Sequence, residues 1–142
     1  LIRALKILSW IKDVQWDGQQ LLRVNTNQQK SVAAFLEDYA HTIEALSLAY
    51  QCTGQLDFLA FAKTLTEKVA AEFQHPQSKM CYFTASDSTL ISRNMELHDN
   101  VIASSNSVMA HAFLTMGFYY QNQDWTNSAQ QMLQNGKLEI KK

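Results

Sequence analysis

The fold is decided by a pattern that occurs twice, as YQCTGQLDFLAFA at residues 50–62 and as YQNQDWTNSA at residues 120–129. In each copy an acidic and an aromatic residue open a helix, and a small residue follows one turn later. These residues are Asp57, Phe58 and Ala62 in the first copy and Asp124, Trp125 and Ala129 in the second. A long apolar helix precedes each copy. The pattern predicts repeated pairs of a buried inner helix and an amphipathic outer helix, joined by a tight turn.

Hydrophobic periodicity and turn residues place the other elements around this repeat. The expected order is a helix over 1–13, an extended piece at 20–24, a polar loop at 25–31, an inner helix over 33–52 and an outer helix over 56–73. A small hairpin at 80–84 and 90–93 and a loop at 94–103 follow. A second inner helix, capped by Ser104 or Ser105, is expected to reach Tyr120. The last helix is expected to run from Asp124 to Leu133 and to end at Asn135-Gly136.

Helix pairs repeated in this way stack side by side or close into a ring. We therefore predict an all-α fold that is part of an (α/α) toroid, with about five helices in αα-hairpins and short β-hairpin excursions. The chain is expected to form one domain over residues 1–142. Layers of this kind bury their faces only against their neighbours. A partial ring exposes apolar inner-helix surface at its cut edges, so we expect the chain to self-associate there.

The composition excludes several classes of function. The chain has 142 residues, of which 46% are hydrophobic and 18% charged, with one Pro and four Gly, and this favours long helices. Its formal net charge is −1, so it has no basic field for nucleic acid. No apolar run approaches the ~20 residues of a membrane helix. Cys52 and Cys81 lie far apart and form no CxxC, which favours a reducing compartment such as the cytoplasm.

Several segments together resemble one known family. They are FLEDYA at 35–40, IEAL at 43–46, YQCTG at 50–54, CYFT at 81–84, LISR at 90–93 and DNVIASSNS at 99–107. In this order they are similar to the C-terminal helical domain of the YyaL-type thioredoxin-domain family, which includes the spermatogenesis-associated homologues. Ala103 stands where the family's loop is expected to have Pro. Because the chain begins at Leu1 inside a predicted helix, we expect it to be a piece of a longer protein.

The resemblance implies an N-terminal thioredoxin-like domain followed by a six-hairpin (α/α)6 toroid, of which this chain holds the last part. Such a toroid is similar to those of N-acylglucosamine 2-epimerases and six-hairpin glycosidases. The implied function is carbohydrate processing, epimerase-like or glycosidase-like, on a small carbohydrate ligand and without a cofactor. The alternative is a noncatalytic helical scaffold that serves the thioredoxin-like domain. In either case we expect the piece alone to be inactive, because other inner helices must supply half of the pocket.

Glu37, Asp38 and His41 are the candidate catalytic residues. At the mouth of a toroid the two carboxylates could act as acid, base or hydroxyl partners, although carboxylates in a first turn also simply favour the helix dipole. Glu37 and His41 share a helix face, a spacing that suits proton transfer or metal binding. No third ligand is evident, so we predict no metal site. Glu44 and Gln51 extend a polar stripe that either lines a pocket or faces solvent.

The candidate substrate-binding residues lie on or near the predicted excursions: Tyr39, Arg93, Asp99, Ser104, Asn106 and Ser107. A helix N-terminus suits an anion or polar ligand, but Ser and Asn are also ordinary capping residues. Arg93 either clamps a ligand or forms a surface salt bridge, and Tyr39 either stacks on a sugar or packs in the core. Convergence of Glu37, Arg93 and Asn106 on one small molecule would favour the carbohydrate hypothesis, and scattering would favour the scaffold.

Overall fold

A computed structural model describes residues 1–25, 31–86, 93–95 and 104–140. Within these ranges the chain has five α-helices and one two-stranded antiparallel sheet, which confirms the predicted all-α class. The helices are α1 (Ile2–Trp10), α2 (Leu36–Thr53), α3 (Leu56–Glu72), α4 (Ser105–Tyr120) and α5 (Gln123–Ile140), and the strands are β1 (Leu22–Val24) and β2 (Val32–Ala33). A π-helical segment, Ile11–Gln15, continues α1.

The helices after the sheet form two hairpins, α2–α3 and α4–α5, each with an inner and an outer helix. Each inner helix ends at a left-handed residue, Gly54 (φ 69°) after α2 and Gln121 (φ 51°) after α4. This conformation satisfies carbonyl groups at the helix end and reverses the chain. The aromatic and small residues that open the outer helices are all buried: Phe58, Ala62, Trp125 and Ala129. The repeated sequence pattern therefore has the same structural effect in both hairpins.

The two inner helices, α2 and α4, pack side by side and run parallel. Three contacts between their side chains show this: Glu44 with His111 at 3.7 Å, Ser47 Oγ with Met116 Sδ at 3.6 Å, and Gln51 Nε2 with Tyr119 Oη at 3.1 Å. The partners in the last two contacts are 69 and 68 residues apart. The repeat offset from Asp57 to Asp124 (124 − 57) is 67 residues. Nearly equivalent positions of the two hairpins therefore meet, as in a stack of repeats.

The core lies between the inner and outer helices and is centred on α2. Leu36, Ala40, Ile43 and Leu46 of that helix are fully buried. These residues recur at three- and four-residue spacing, the period of a helix face that packs against neighbours. In the part of the chain that the structure describes, no helix is both long and apolar enough to span a bilayer.

A short excursion follows each of the helices α1 and α3, at residues 16–25 and at residues 74–86. An isolated antiparallel bridge closes each one, Trp16 with Leu21 in the first excursion and Gln74 with Cys81 in the second. In the first excursion the chain continues into β1, which pairs with β2. The two excursions thus have the same relation to the helices that precede them.

Asp17 shapes the turn of the first excursion. Its Oδ1 accepts the N–H groups of Gln19 and Gln20, both at 2.8 Å. Partial burial raises the pKa of Asp17, but the hydrogen bonds from Gln20 and Gln19 outweigh it, so the pKa of this carboxyl is lowered. Gly18 adopts φ 97°, a conformation that glycine reaches without strain.

Both excursions are attached to the N-terminal end of α2. The Leu21 N–H donates to the Tyr39 hydroxyl at 2.8 Å, which joins the first excursion to the helix. The Leu36 N–H donates to the Phe83 carbonyl at 2.9 Å, and the rings of Phe35 and Phe83 stack with centroids 4.8 Å apart. The start of α2 is therefore the meeting point of two loop systems, which is where a binding site can form.

Three predicted boundaries are wrong. The first inner helix begins at Leu36 instead of residue 33, because Val32–Ala33 pairs with β1. The last helix continues through Gly136, since a glycine inside a helix costs only about 1 kcal/mol relative to alanine. This helix also begins at Gln123, one residue before the expected Asp124, because Asn122 Oδ1 caps its first turn by accepting the Trp125 N–H at 3.2 Å. The strand expected at 90–93 lies mostly outside the described residues.

Gly117 permits the close approach of α4 and α5. A Cβ at this position would lie 2.6 Å from Thr126 Oγ1 and 3.1 Å from the Asn122 carbonyl oxygen. The Gly117 carbonyl also accepts the Asn122 N–H at 2.9 Å in the hairpin turn. Any larger residue would separate the two helices at their connection.

Candidate functional site

A cleft of about 360 Å³ lies between the end of the π-helical segment, β1 and the first turns of α2. Its floor is apolar and its rim is polar, and it is lined by Ile11, Gln15, Leu21, Leu22, Arg23, Glu37, Asp38, His41 and Thr42. All three candidate catalytic residues, Glu37, Asp38 and His41, therefore lie in one place. A concave site with an apolar floor and a few convergent polar groups is typical of small-molecule binding.

Arg23 is the basic residue of this cleft. Its Nη1 lies 2.5 Å from Glu37 Oε1 and 3.6 Å from Asp38 Oδ2. The hydrogen bond to Glu37 and the charge of Asp38 raise the pKa of Arg23. The guanidinium carbon also lies 5.3 Å from the centroid of the Phe35 ring, within the range of a cation–π contact. These contacts orient one planar donor group and two carboxylates at the rim.

The two carboxylates are placed by the start of α2. Phe35 occupies the N-cap position and has no side-chain acceptor, so Asp38 Oδ2 accepts the Phe35 N–H at 2.9 Å. Both Glu37 and Asp38 lie in the first turn, where negative charge favours the helix dipole. Asp38 thus already stabilises the helix start, whereas Glu37 is held only by Arg23 among the contacts of the described residues.

The polar stripe of α2 leads from the cleft to α4. His41 Nδ1 lies 4.0 Å from Glu44 Oε2, and Glu44 Oε1 lies 3.7 Å from His111 Nδ1. Gln51 donates to the Tyr119 hydroxyl. Of the residues in this stripe, Glu44 and Gln51 therefore contact the second inner helix, whereas Glu37 and His41 line the cleft. Over the ranges that the structure describes, no group of three or more His, Cys, Asp or Glu residues is arranged to hold a metal ion.

Arg93 contacts main-chain carbonyls. Its Nη2 donates to the Thr84 carbonyl at 2.6 Å and to the Glu72 carbonyl at 2.8 Å, and its Nε donates to Thr84 at 3.2 Å. The guanidinium lies over the Tyr82 ring at 4.0 Å. Arg93 thus joins the last turn of α3 to the second excursion. Among the described residues its partners are these carbonyls and this ring, and no carboxylate is one of them.

Asn106 also joins elements of the fold. It is buried, its Oδ1 accepts the Cys81 N–H at 2.7 Å, and its Nδ2 donates to the Cys81 carbonyl at 2.9 Å. Ser104 is the N-cap of α4 and accepts the Ser107 N–H at 3.2 Å. Asp99 lies outside the described residues. Neither Arg93 nor any residue of the 104–107 segment is among the described residues that line the cleft.

Tyr39 lies in the core. Its side chain is 1% exposed, its hydroxyl accepts the Leu21 N–H, and its ring packs on Phe73 with centroids 5.2 Å apart. The two alternatives for Tyr39 were stacking on a sugar and packing in the core. The structure shows Tyr39 packed in the core, beneath the floor of the cleft.

The sequence argument missed three polar residues that line the cleft: Gln15, Arg23 and Thr42. One signal for Arg23 was available, because it follows Leu22 in an extended segment, where successive side chains point to opposite faces. Leu22 is buried and Arg23 is exposed, as this alternation requires. The position of Glu37 opposite Arg23 depends on tertiary packing.

No family model matches the chain, and no curated protein matches it. Function therefore has to be inferred from the cleft and from the stacking of the hairpins.

Proposed function

We propose that the cleft at the start of α2 binds a small carbohydrate, and that the chain is part of an (α/α)6 toroid of the YyaL-type thioredoxin-domain family. The observation that carries the proposal is the arrangement of Arg23, Glu37 and Asp38 around an apolar floor. A guanidinium donates several hydrogen bonds in one plane and carboxylates accept them. Adjacent sugar hydroxyls need both kinds of partner, while the C–H face of the ring needs an apolar surface such as Leu21 and Leu22.

The proposed roles follow from position. Glu37 and Arg23 bind hydroxyl groups at the rim, and His41 is the candidate group for proton exchange with a bound sugar, because its imidazole lines the same cleft. Asp38 keeps α2 in place by binding the Phe35 N–H. If the chemistry is epimerase-like or glycosidase-like, further groups must come from other inner helices, because a complete acid–base pair on both sides of a sugar needs opposed residues. The chain alone is therefore expected to bind without turnover.

The test is a titration with N-acetylglucosamine and with glucose, followed by ¹H–¹⁵N NMR spectra. Amide shifts are expected around residues 21–23 and 37–42, with dissociation constants in the millimolar range, on the order of 4 kcal/mol of binding free energy. Arg23→Ala and Glu37→Gln are expected to weaken binding at least about tenfold. Arg3→Ala, which removes an exposed arginine outside the cleft, is the matched control. No shifts at millimolar sugar, or shifts unaffected by Arg23→Ala, would refute carbohydrate binding at this cleft.

A noncatalytic scaffold is the second candidate, and a specific observation favours it. Arg93, Ser104 and Asn106 make hydrogen bonds that hold the second excursion and α4 in place. Under this proposal Arg23 and Glu37 likewise stabilise the start of α2. Arg23→Ala would then lower the melting temperature, and neither sugar would perturb the cleft. Unchanged stability of that variant together with sugar-dependent shifts would exclude the scaffold as the sole function.

We also propose that the chain self-associates through the exposed apolar surface of its inner helices. Leu48 of α2 is 54% exposed, and Leu114 and Phe118 of α4 are 42% and 81% exposed. Sedimentation of the chain over a range of concentrations tests the self-association.

Both cysteines are free thiols, which supports the proposed location in a reducing compartment such as the cytoplasm.

A further inference from the structure

Helix α1 occupies the same place in the repeat as α3, the outer helix of the first hairpin. Each is followed by an excursion that begins with a bridge residue, Trp16 after α1 and Gln74 after α3. These two residues are 58 positions apart (74 − 16), and the same offset relates Ala4 to Ala62 (62 − 4). α1 is therefore an outer helix, although the described residues contain no inner helix that forms a hairpin with it.

The two excursions are attached to equivalent positions of the inner helices that follow them. The Leu21 N–H donates to the Tyr39 hydroxyl of α2, and the Cys81 N–H donates to Asn106 Oδ1 of α4. Tyr39 and Asn106 are 67 residues apart (106 − 39), which is the repeat offset of the hairpins. α1 is thus related to α2 as α3 is related to α4. Among the described residues, the contact that α3 makes with α2 has no counterpart at α1.

α1 exposes the face that α3 buries against its inner helix. The buried face of α3 contains three apolar residues at three-residue spacing, which are Leu59, Ala62 and Leu65. The offset of 58 relates them to Leu1, Ala4 and Ile7, which have the same or a similar side chain. Leu1 is 71% exposed, Ile7 is 53% exposed, and Ala4 is exposed as well. We call these three residues the α1 face, because they repeat a surface that packs on an inner helix.

The start of α2 covers the second excursion. The ring of Tyr39 packs on Phe73 with centroids 5.2 Å apart, and the Leu36 N–H donates to the Phe83 carbonyl at 2.9 Å. Phe73 precedes the bridge of this excursion, and Phe83 lies two residues after it. The first turn of an inner helix therefore lies against both sides of this bridge.

In the first excursion the equivalent positions line the cleft. Gln15 precedes the first bridge and Arg23 lies two residues after it, so they correspond to Phe73 and Phe83. Gln15 and Arg23 are both among the residues that line the cleft. The cleft is therefore located where the first turn of an inner helix would lie, and the α1 face is located where the rest of that helix would pack.

We propose that an apolar α-helix from a segment absent from residues 1–142 packs on the α1 face and begins at the cleft. It runs parallel to α2 and antiparallel to α1, and its contact with α1 repeats the established contact between α2 and α3. A second copy of the chain cannot supply this helix, because α3 and α5 already cover the corresponding faces of its own inner helices. The inference deepens the proposed toroid, on which it rests, by naming the helix that brings further groups to the cleft.

The probe for this contact is a synthetic peptide with the sequence of residues 34–55 and the substitution Cys52→Ser. This segment already packs on the face of α3 that the α1 face repeats. The peptide is titrated into the ¹⁵N-labelled full chain, and amide shifts are expected at residues 1–11 and 15–23. Binding by a peptide of the same composition in scrambled order is expected to be at least about tenfold weaker, because its apolar residues no longer share one helix face.

Substitutions in the α1 face test whether it carries the contact. Ile7→Asp is expected to weaken peptide binding at least about tenfold, since it places a charge in an apolar interface. Ala4→Arg is expected to do the same, because the equivalent Ala62 is fully buried. Leu114→Asp, at a leucine of α4 that is 42% exposed, is the matched control and is expected to leave binding unchanged. Circular dichroism checks that each variant is folded.

A nitroxide label on the N-terminus of the peptide tests the orientation. It is expected to broaden the amide signals of residues 15 and 21–23, beside the cleft. Broadening of residues 1–4 instead would show the opposite direction and overturn the proposed position of the helix start.

The outcomes separate the helix contact from carbohydrate binding. The contact is overturned by an absence of shifts at millimolar peptide, by shifts at residues 114–118 in place of residues 1–11, or by binding that neither Ile7→Asp nor Ala4→Arg weakens. Sugar binding without peptide binding refutes the helix contact alone. Peptide binding without sugar binding refutes the carbohydrate proposal alone.

Discussion

Replacing Asn106 by leucine removes the two hydrogen bonds that hold the second excursion on α4. Leucine has the same branched side-chain skeleton as asparagine and is somewhat larger, so the substitution leaves no cavity. The Cys81 N–H and carbonyl, which Asn106 binds at 2.7 and 2.9 Å, lose these partners in a buried position. Each unpaired buried group costs about 1–3 kcal/mol, so the expected loss for the two groups is about 2–6 kcal/mol in the free energy of unfolding. For a chain of this length that lowers the melting temperature by about 10–20 °C.

Urea unfolding followed by circular dichroism measures this loss directly. Asn127→Leu is the control, since Asn127 is exposed on α5 and surface substitutions change stability by about 0.5 kcal/mol or less. Asn106→Asp keeps the acceptor for the Cys81 N–H but loses the donor to its carbonyl, so it also destabilises the fold. If Asn106→Leu is no less stable than Asn127→Leu, then Asn106 does not hold the excursion and the described role is refuted.

The remaining predictions concern thiols, glycines and acid stability. A thiol reagent is expected to modify Cys52 but not Cys81 in the native chain, because burial raises the pKa of Cys81 to about 12, and rapid labelling of both would contradict this. Gly117→Ala is expected to lose about 1–3 kcal/mol through its clash with α5, whereas Gly136→Ala, which meets no atom, is expected to gain up to about 1 kcal/mol in urea unfolding. Because the pKa of Asp17 is lowered in the folded chain, its ionised form stabilises the fold at pH values above the ordinary pKa of an aspartate. This stabilisation is lost as the pH falls through the lowered pKa. Asp17→Asn should therefore flatten the acid side of the stability curve, and an unchanged slope would contradict this.

The helix pairs were predictable because their signals are local. An acidic residue, an aromatic residue and a small residue in the first turns define the start of α3 and of α5, and the short turn before each fixes the hairpin. The β2 strand was not predictable in this way. Val32–Ala33 has no alternating pattern of its own, and it pairs only because β1 lies beside it.

The cleft was predictable in part for the same reason. Glu37, Asp38 and His41 lie within two turns of one helix, so their proximity follows from helix geometry. The roles of Arg93 and Asn106 depend on main-chain groups of Glu72, Thr84 and Cys81, which only the folded chain brings near. A polar side chain near a predicted loop can bind a ligand or the backbone, and residue type alone does not separate the two.

The parallel stacking of α2 and α4 is the claim on which the structural repeat and the proposed self-association both depend. A methyl-labelled NOESY spectrum tests it directly. The Met116 methyl group is expected to show a cross-peak to the β-protons of Ser47, whose oxygen lies 3.6 Å from the Met116 sulfur. The Tyr119 ring is likewise expected to show cross-peaks to Tyr50 and Gln51. Cross-peaks from Met116 to the other end of α2, near residues 36–40, would indicate antiparallel helices and contradict the account.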